Sequence, residues 1–146
     1  MISEILKPIL TASGCSLVIY EQDTLVNLYT DQSDQFDTVG VIIEPNAITM
    51  EVVANAIHDH YNPLTIEILK QVNLEDKAEI NDAKLKETYA VLKRVINRVI
   101  NTGLFKTQKP YVAYKIRERK YDANVIGWGI GLNLFYLNNA PIDPCL

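Results

Sequence analysis

The chain has 146 residues, 48% of them hydrophobic and 22% charged, a make-up that fits one globular domain and excludes a disordered chain or a pair of full-sized domains. No apolar run approaches the roughly 20 residues that cross a bilayer as a helix, and the opening stretch Met1 to Pro8 lacks the basic and apolar regions of a secretory leader, so an intracellular protein without a membrane partner is expected. The formal net charge of −4 hides a segregation: residues 1–92 hold 15 acids and 5 bases, residues 93–120 hold 9 bases and one acid, and residues 121–146 hold two acids.

In chain order, Ile2, Ile5, Leu6, Ile9 and Leu10 fall on a helical period, with Ser3 available as an N-cap and Gly14 as a stop, which predicts a short amphipathic helix over 2–13. Pro8 removes one donor and limits or bends it. The β-branched and aromatic runs 16–20 and 24–30, separated by Glu21-Gln22-Asp23, predict a hairpin. Asp31 to Asp37 has Phe36 as its one hydrophobic residue and reads as an exposed loop. Val39 to Ile43 is a buried strand closed by Pro45-Asn46.

Residues 48–57 alternate as a strand and also fit one helix face; the strand is preferred because His58 to Pro63 reads as a turn and Leu64, Ile66 and Ile68 alternate beyond it as a second strand able to pair with the first. A long helix from about Asp76 to Asn101 follows, with Leu85, Tyr89, Leu92, Ile96 and Val99 marking its apolar face. Its acids lie early and its bases late, as the macrodipole favours, and Gly103 caps it.

The last third predicts a long hairpin. Val112, Tyr114 and Ile116 point to one side and Lys115, Arg117 and Arg119 to the other; Tyr121 to Asn124 turns the chain. Ile126 to Tyr136 then alternates bulky residues with Gly127, Gly129, Gly131 and Asn133. A bare row of glycines implies close approach of another backbone or a helix. Asn138 to Leu146, with Pro141 and Pro144, is expected to leave the sheet as an extended tail.

Signatures of catalysis are sparse, so no enzyme and no cofactor is expected. There is no phosphate loop or nucleophile elbow, and the three glycines lie inside a strand rather than between a strand and a helix. Cys15 and Cys145 sit near opposite ends of the chain without ligand spacing, and both thiols are expected to be reduced. His58-Asp59-His60 is the one candidate metal or acid/base cluster; a third ligand would have to come from a residue such as Glu51 or Glu67, and a polar turn is the preferred reading.

The basic ridge Lys106, Lys109, Lys115, Arg117, Arg119 and Lys120, interleaved with Tyr111, Tyr114 and Tyr121, has the composition of a surface for phosphates. The acidic remainder of the chain opposes direct binding of a polyanion. The same ridge is compatible with passive lining of a DNA channel, and its runner-up meaning is a patch that docks onto the acidic part of a neighbouring subunit; the 110–137 hairpin and the acidic stretch 31–37, with Asp31, Asp34 and Asp37, are expected to supply much of the subunit contact. A folded monomer on which the two charges are simply neighbours is the plainer alternative.

Three stretches carry a family resemblance: Tyr61-Asn62-Pro63-Leu64-Thr65-Ile66-Glu67-Ile68-Leu69-Lys70-Gln71, the long helix Asp76 to Asn101, and Tyr121-Asp122-Ala123-Asn124-Val125-Ile126-Gly127-Trp128 with the ending Asp143-Pro144-Cys145-Leu146. Together with the element order they resemble the neck and tail-completion proteins of tailed bacteriophages, of tail-terminator or head-to-tail connector type, as carried by phages and prophages of Bacteroides-type hosts. The resemblance covers residues 61–146; residues 1–60 match in element order alone.

That resemblance implies an α+β fold, a twisted and mostly antiparallel sheet with one long and one short helix packed on it. It implies a single structural domain made in the bacterial host cytoplasm and built into the virion. There it would form a homo-oligomeric ring of six or twelve copies that joins portal, connector or tail proteins and surrounds the genome DNA. It implies no catalysis. Some rings of this kind have an acidic lumen, whereas the ridge here is basic. A small nucleic-acid-binding protein using the 106–120 ridge is the alternative expectation.

Overall fold

The computed structural model describes residues 2–20, 37–72, 75, 77–107, 109–120 and 123–141, with the side chains of 118–120, 123 and 137–141 excepted. Ile2, Leu6 and Leu10 recur at steps of four and are buried along one face of α1 (Ile2–Ser13). Pro8 forfeits one helical donor without ending the helix. Gly14 ends it, at φ +124°. There the Cys15 N–H donates to the Leu10 carbonyl (3.1 Å) and the Gly14 N–H to the Thr11 carbonyl (3.3 Å), the paired bonds of a Schellman ending.

β1 (Leu17–Tyr20) pairs in parallel with β2 (Val39–Ile43), Leu17 opposite Val39 and Tyr20 opposite Ile42. The hairpin partner expected over 24–30, its turn, and residues 31–36 of the expected loop lie outside the described residues.

The region 48–68 differs from expectation in two respects. The turn falls at Ala54-Asn55, both with positive φ (48° and 65°), and not at His58 to Pro63. Two successive left-handed residues form the two-residue hairpin turn whose twist matches its strands. β3 (Thr49–Val53) therefore pairs with residues 56–60 at the start of β4 (Ala56–Gln71), Thr49 opposite His60 and Val53 opposite Ala56, rather than with 64–68. His58 to Pro63 stays within the long β4, and a register shift between Tyr61 and Leu64 accommodates the proline.

α2 (Ala78–Asn101) buries Leu85, Thr88, Val91, Leu92, Val95 and Val99. This face is rotated from the expected one: Tyr89 is exposed and Ile96 only partly buried. The rotation follows from a second packing partner. α1 lies beside Val91 and Arg94, and the Arg94 Nε donates to the Ser13 carbonyl at 2.8 Å, which draws the 91/95 flank inward and turns the 89/96 flank out. Gly103, at φ +68°, follows the helix as expected.

β5 (Phe105–Thr107), β6 (Ala113–Lys120) and β7 (Ala123–Pro141) complete a seven-stranded sheet of order β1-β2-β4-β7-β5, with β3 alongside the first part of β4 and β6 alongside the first part of β7. All ladders except β1–β2 are antiparallel. The chain therefore has an α+β fold, with two helices and a mostly antiparallel sheet among the described residues. Asn138 to Pro141 does not leave the sheet as expected: Ala140 and Pro141 still face Ile57 and Ala56, with Pro141 at the strand end where its missing N–H is tolerated.

The main core lies between the helices and one sheet face. Leu6, Leu10, Leu64, Ile66, Ile68, Leu92, Val95, Leu132 and Leu134 meet there. A smaller cluster of Ile19, Val39, Val41, Leu69, Ile116 and Val125 forms on the opposite face. The glycine row belongs to that opposite face and has two separate causes. A Cβ on Gly127 would lie 1.9 Å from the Ile68 carbonyl oxygen of β4, and one on Gly129 would lie 2.5 Å from the Tyr114 ring of β6. At Gly131 the nearest neighbour, the Pro63 Cβ, is at an ordinary 3.6 Å.

Candidate functional site

Two surfaces stand out, one at the β3 hairpin and one between α2 and β6. In β3 all five residues are exposed, with Met50 at 71%, Val52 at 63% and Val53 at 46%. Because side chains alternate along a strand, exposure at every position means that neither face of β3 is covered. β3 bonds to β4 on one side, and its other edge has no partner strand among the described residues. An edge without a partner strand among the described residues, carrying Met50, Val52 and Val53 with one carboxylate, Glu51, between them, is the kind of strand that pairs with another chain.

Beside β3, His58 and His60 share one face of β4 and flank the Phe135 ring, at centroid distances of 5.4 and 5.8 Å. The His60 Nε2 is hydrogen-bonded to the Asn133 Oδ1, while the His58 Nδ1 is buried without a partner. Neither sits in the turn expected for them. Among the described residues no group of three or more His, Cys, Asp or Glu side chains is placed to hold a metal ion.

The second surface arises because the flank of α2 turned away from α1 does not close onto the sheet. Tyr89, Leu92, Ile96 and Ile100 of α2 face Tyr111, Ala113, Trp128 and Ile130 across a groove of 460 Å³, and a smaller hollow of 200 Å³ continues it past Leu85, Lys86 and Lys115. The Trp128 ring joins the two. Its Nε1 donates to the Leu85 carbonyl at 3.0 Å and its ring packs on Tyr89 at a centroid distance of 5.0 Å. The Tyr111 hydroxyl is held by the Thr107 Oγ1. Lys93 lies over the Tyr89 ring (4.7 Å) and Lys115 over the Trp128 ring (5.6 Å), two cations held on aromatic faces at the rim.

The expected ridge is divided by this arrangement. Lys115 and Arg117 do share one face of β6, but that face looks toward α2: Lys115 covers Trp128, and the Arg117 Nη2 lies 3.7 Å from the Asp82 Oδ1 in an exposed pair. Lys106 is on β5, opposite Phe135 near the other end of β7, and Lys109 is exposed in the connection to β6. The backbones of Arg119 and Lys120 pair with Asn124 and Ala123; their side chains lie outside the described set, as do Asp31 and Asp34 entirely. Asp37 is far from the ridge in bonding terms. It accepts from the Lys70 Nζ (3.0 Å), which also reaches the Glu87 Oε2 of α2 (2.6 Å).

Among the described residues, shifted protonation occurs at Cys15, Tyr20, Tyr61 and Lys70. Burial pushes the Cys15 thiol up to about 12 against the opposing pull of Arg94, and burial followed by the Asp59 and Glu44 carboxylates pushes the Tyr61 hydroxyl up to about 12. Burial, then Glu44, also raises the Tyr20 hydroxyl. For Lys70 burial opposes the charge, but Glu87 and Asp37 overcome it and the ammonium is held above its usual range.

The alternation over 48–57 reads as a single strand, which hides both the turn at Ala54-Asn55 and the exposure of Met50, Val52 and Val53 in β3. Sequence reasoning also placed Tyr89 and Ile96 in the core. The available signal was the two-residue spacing between the apolar runs 48–53 and 56–57, which points to a tight hairpin at Ala54-Asn55. Compared with protein-family models, curated proteins and solved structures, the chain matches none of them.

Proposed function

We propose that the chain is a self-assembling structural subunit that forms a ring in the neck or tail of a tailed bacteriophage, between portal and tail and around the passing DNA. The observation that carries the reading is β3: five consecutive exposed residues, three of them apolar, on a strand edge without a partner among the described residues. An isolated chain gains little from such a strand; a neighbour that covers it gains both backbone hydrogen bonds and apolar burial. The groove between α2 and β6 is a second apolar surface, different in shape and charge from the first. Two unlike surfaces on one subunit favour head-to-tail contacts, which form a ring when the rotation from copy to copy closes on itself.

The charge layout favours the same contacts, with −10 over residues 1–92 meeting +8 over residues 93–120. Interfaces of standard size on both sides, about 800 Å² each, would cover roughly a fifth of the 8632 Å² surface. The nucleic-acid alternative draws less support, because Lys115 and Arg117 face α2 and have local partners in Trp128 and Asp82. Electron microscopy of the purified chain tests the reading: ring-shaped particles of uniform copy number are expected, and particles no larger than one subunit at every concentration contradict it.

A further inference from the structure

We propose that the groove between α2 and β6 is the docking site for the acidic segment 31–37 of a neighbouring copy, with Phe36 entering the aromatic hollow and Asp34 meeting the lysines at its rim. This rests on the self-assembly reading and names the contact it uses. The hollow asks for an apolar group and has ample room for an aromatic ring, since Tyr89, Leu92, Ile96, Tyr111, Trp128 and Ile130 line 460 Å³. Its rim asks for negative charge. Lys93 and Lys115 stand over the Tyr89 and Trp128 rings, and neither has a carboxylate partner among the described residues; the adjoining hollow is bordered by Lys86 and by Asp82, which lies 3.7 Å from the Arg117 guanidinium. Within the chain, Asp31-Gln32-Ser33-Asp34-Gln35-Phe36-Asp37 combines three carboxylates, no base and one aromatic ring in seven residues.

The geometry of α2 points to a second copy as the donor. Asp37 is tied through Lys70 to Glu87, which fixes the end of the acidic segment to one flank of α2. At about 100° per residue, Tyr89, Lys93 and Ile96 lie roughly 180 to 240° around the helix from Glu87. Asp37 is thus held on the flank of α2 opposite the groove of its own subunit, the disposition that a head-to-tail contact requires.

Trp128 is the one tryptophan of the chain and lines the groove, so its emission reports occupancy directly. The experiment titrates the full-length protein with a synthetic peptide of residues 30–38, and separately follows self-association of the wild-type, Phe36→Ala and Lys93→Glu chains by sedimentation. The peptide is expected to shift Trp128 emission saturably and to weaken as salt is added. A peptide with Phe36→Ala should bind about tenfold more weakly, and both protein variants should self-associate about tenfold more weakly. Lys93 is exposed, so Lys93→Glu keeps the test open if Phe36→Ala perturbs folding. Emission unmoved by the peptide overturns the proposal. Undiminished association of both variants overturns it while leaving self-assembly standing. A wild-type chain that stays monomeric removes the self-assembly reading and the neighbouring copy with it. A Phe36→Ala change in Trp128 emission that is independent of protein concentration places the segment in its own groove, and also overturns the proposal.

Discussion

β4 passes through two regions of opposite character. Over residues 64–69 it is covered on both faces: Leu64, Ile66 and Ile68 lie against the helices, Leu69 joins the opposite cluster, and β2 and β7 flank it. Over residues 56–60 its flank is β3, in which nothing is covered. Each fully buried aliphatic side chain of the first region contributes about 1.5–3 kcal/mol, whereas Met50 and Val52 contribute little to the isolated fold. The lesson is that apolar content alone does not distinguish a residue that holds the subunit together from one that awaits a partner; coverage of the strand does.

The sharpest way to break this comparison lies in the glycine row. Gly127→Ala drives a methyl group into the Ile68 carbonyl, backbone that cannot step aside, and should cost about 4 kcal/mol or more in chemical denaturation. Gly131→Ala, two alternations along the same strand, meets only an ordinary contact with Pro63 and should change stability by less than about 0.5 kcal/mol. Equal losses at both positions would refute the packing described for β4 and β7.

Next in size, Leu64→Ala in the covered region should lower stability by about 2–5 kcal/mol. Met50→Lys with Val52→Lys in β3 should leave the unfolding midpoint almost unchanged while weakening self-association by about tenfold or more. A large loss of stability in the β3 double variant would show that β3 is part of the monomer core and dissolve the contrast.

Alkaline pH acts on four groups packed in or beside the covered region. The raised Lys70 favours folding fully below its ordinary value of 10.5, and that contribution is lost as pH rises through its higher folded value. The Cys15 thiol and the Tyr20 and Tyr61 hydroxyls are also raised, so the folded chain holds protons that the unfolded chain releases from about 9.0 upward. The thermal midpoint should therefore be level near neutrality and fall above about pH 9, with Cys15 slow to alkylate until the chain unfolds. A modest gain is expected at the hairpin turn, where Ala54→Gly relieves a left-handed non-glycine residue and should stabilise by about 1 kcal/mol.

Much of the fold was legible from local rules. The Schellman glycine after α1, the strand 39–43, the long helix and the final hairpin all follow from periodicity and stop signals, and the bare glycine row announced the close approach found at Gly127. What stayed hidden depended on partners distant in sequence. Pro63 and the two histidines read as a turn because nothing local shows that β7 runs alongside and carries the chain across a register shift. Ala54-Asn55 lacks the glycine that usually marks a two-residue hairpin turn. Tyr89 and Ile96 fit the apolar period of α2, and only the position of α1 turns them outward. The candidate surfaces were the least legible part, because exposure of Met50, Val52 and Trp128's surroundings is a property of what does not pack on them.

Sedimentation velocity on the wild-type chain beside the Met50→Lys/Val52→Lys variant, from micromolar to millimolar concentration, tests self-assembly most directly. The wild type is expected to grow into a discrete closed oligomer while the equally stable variant sediments as a smaller species. Identical monomer behaviour of the two chains throughout that range would contradict it.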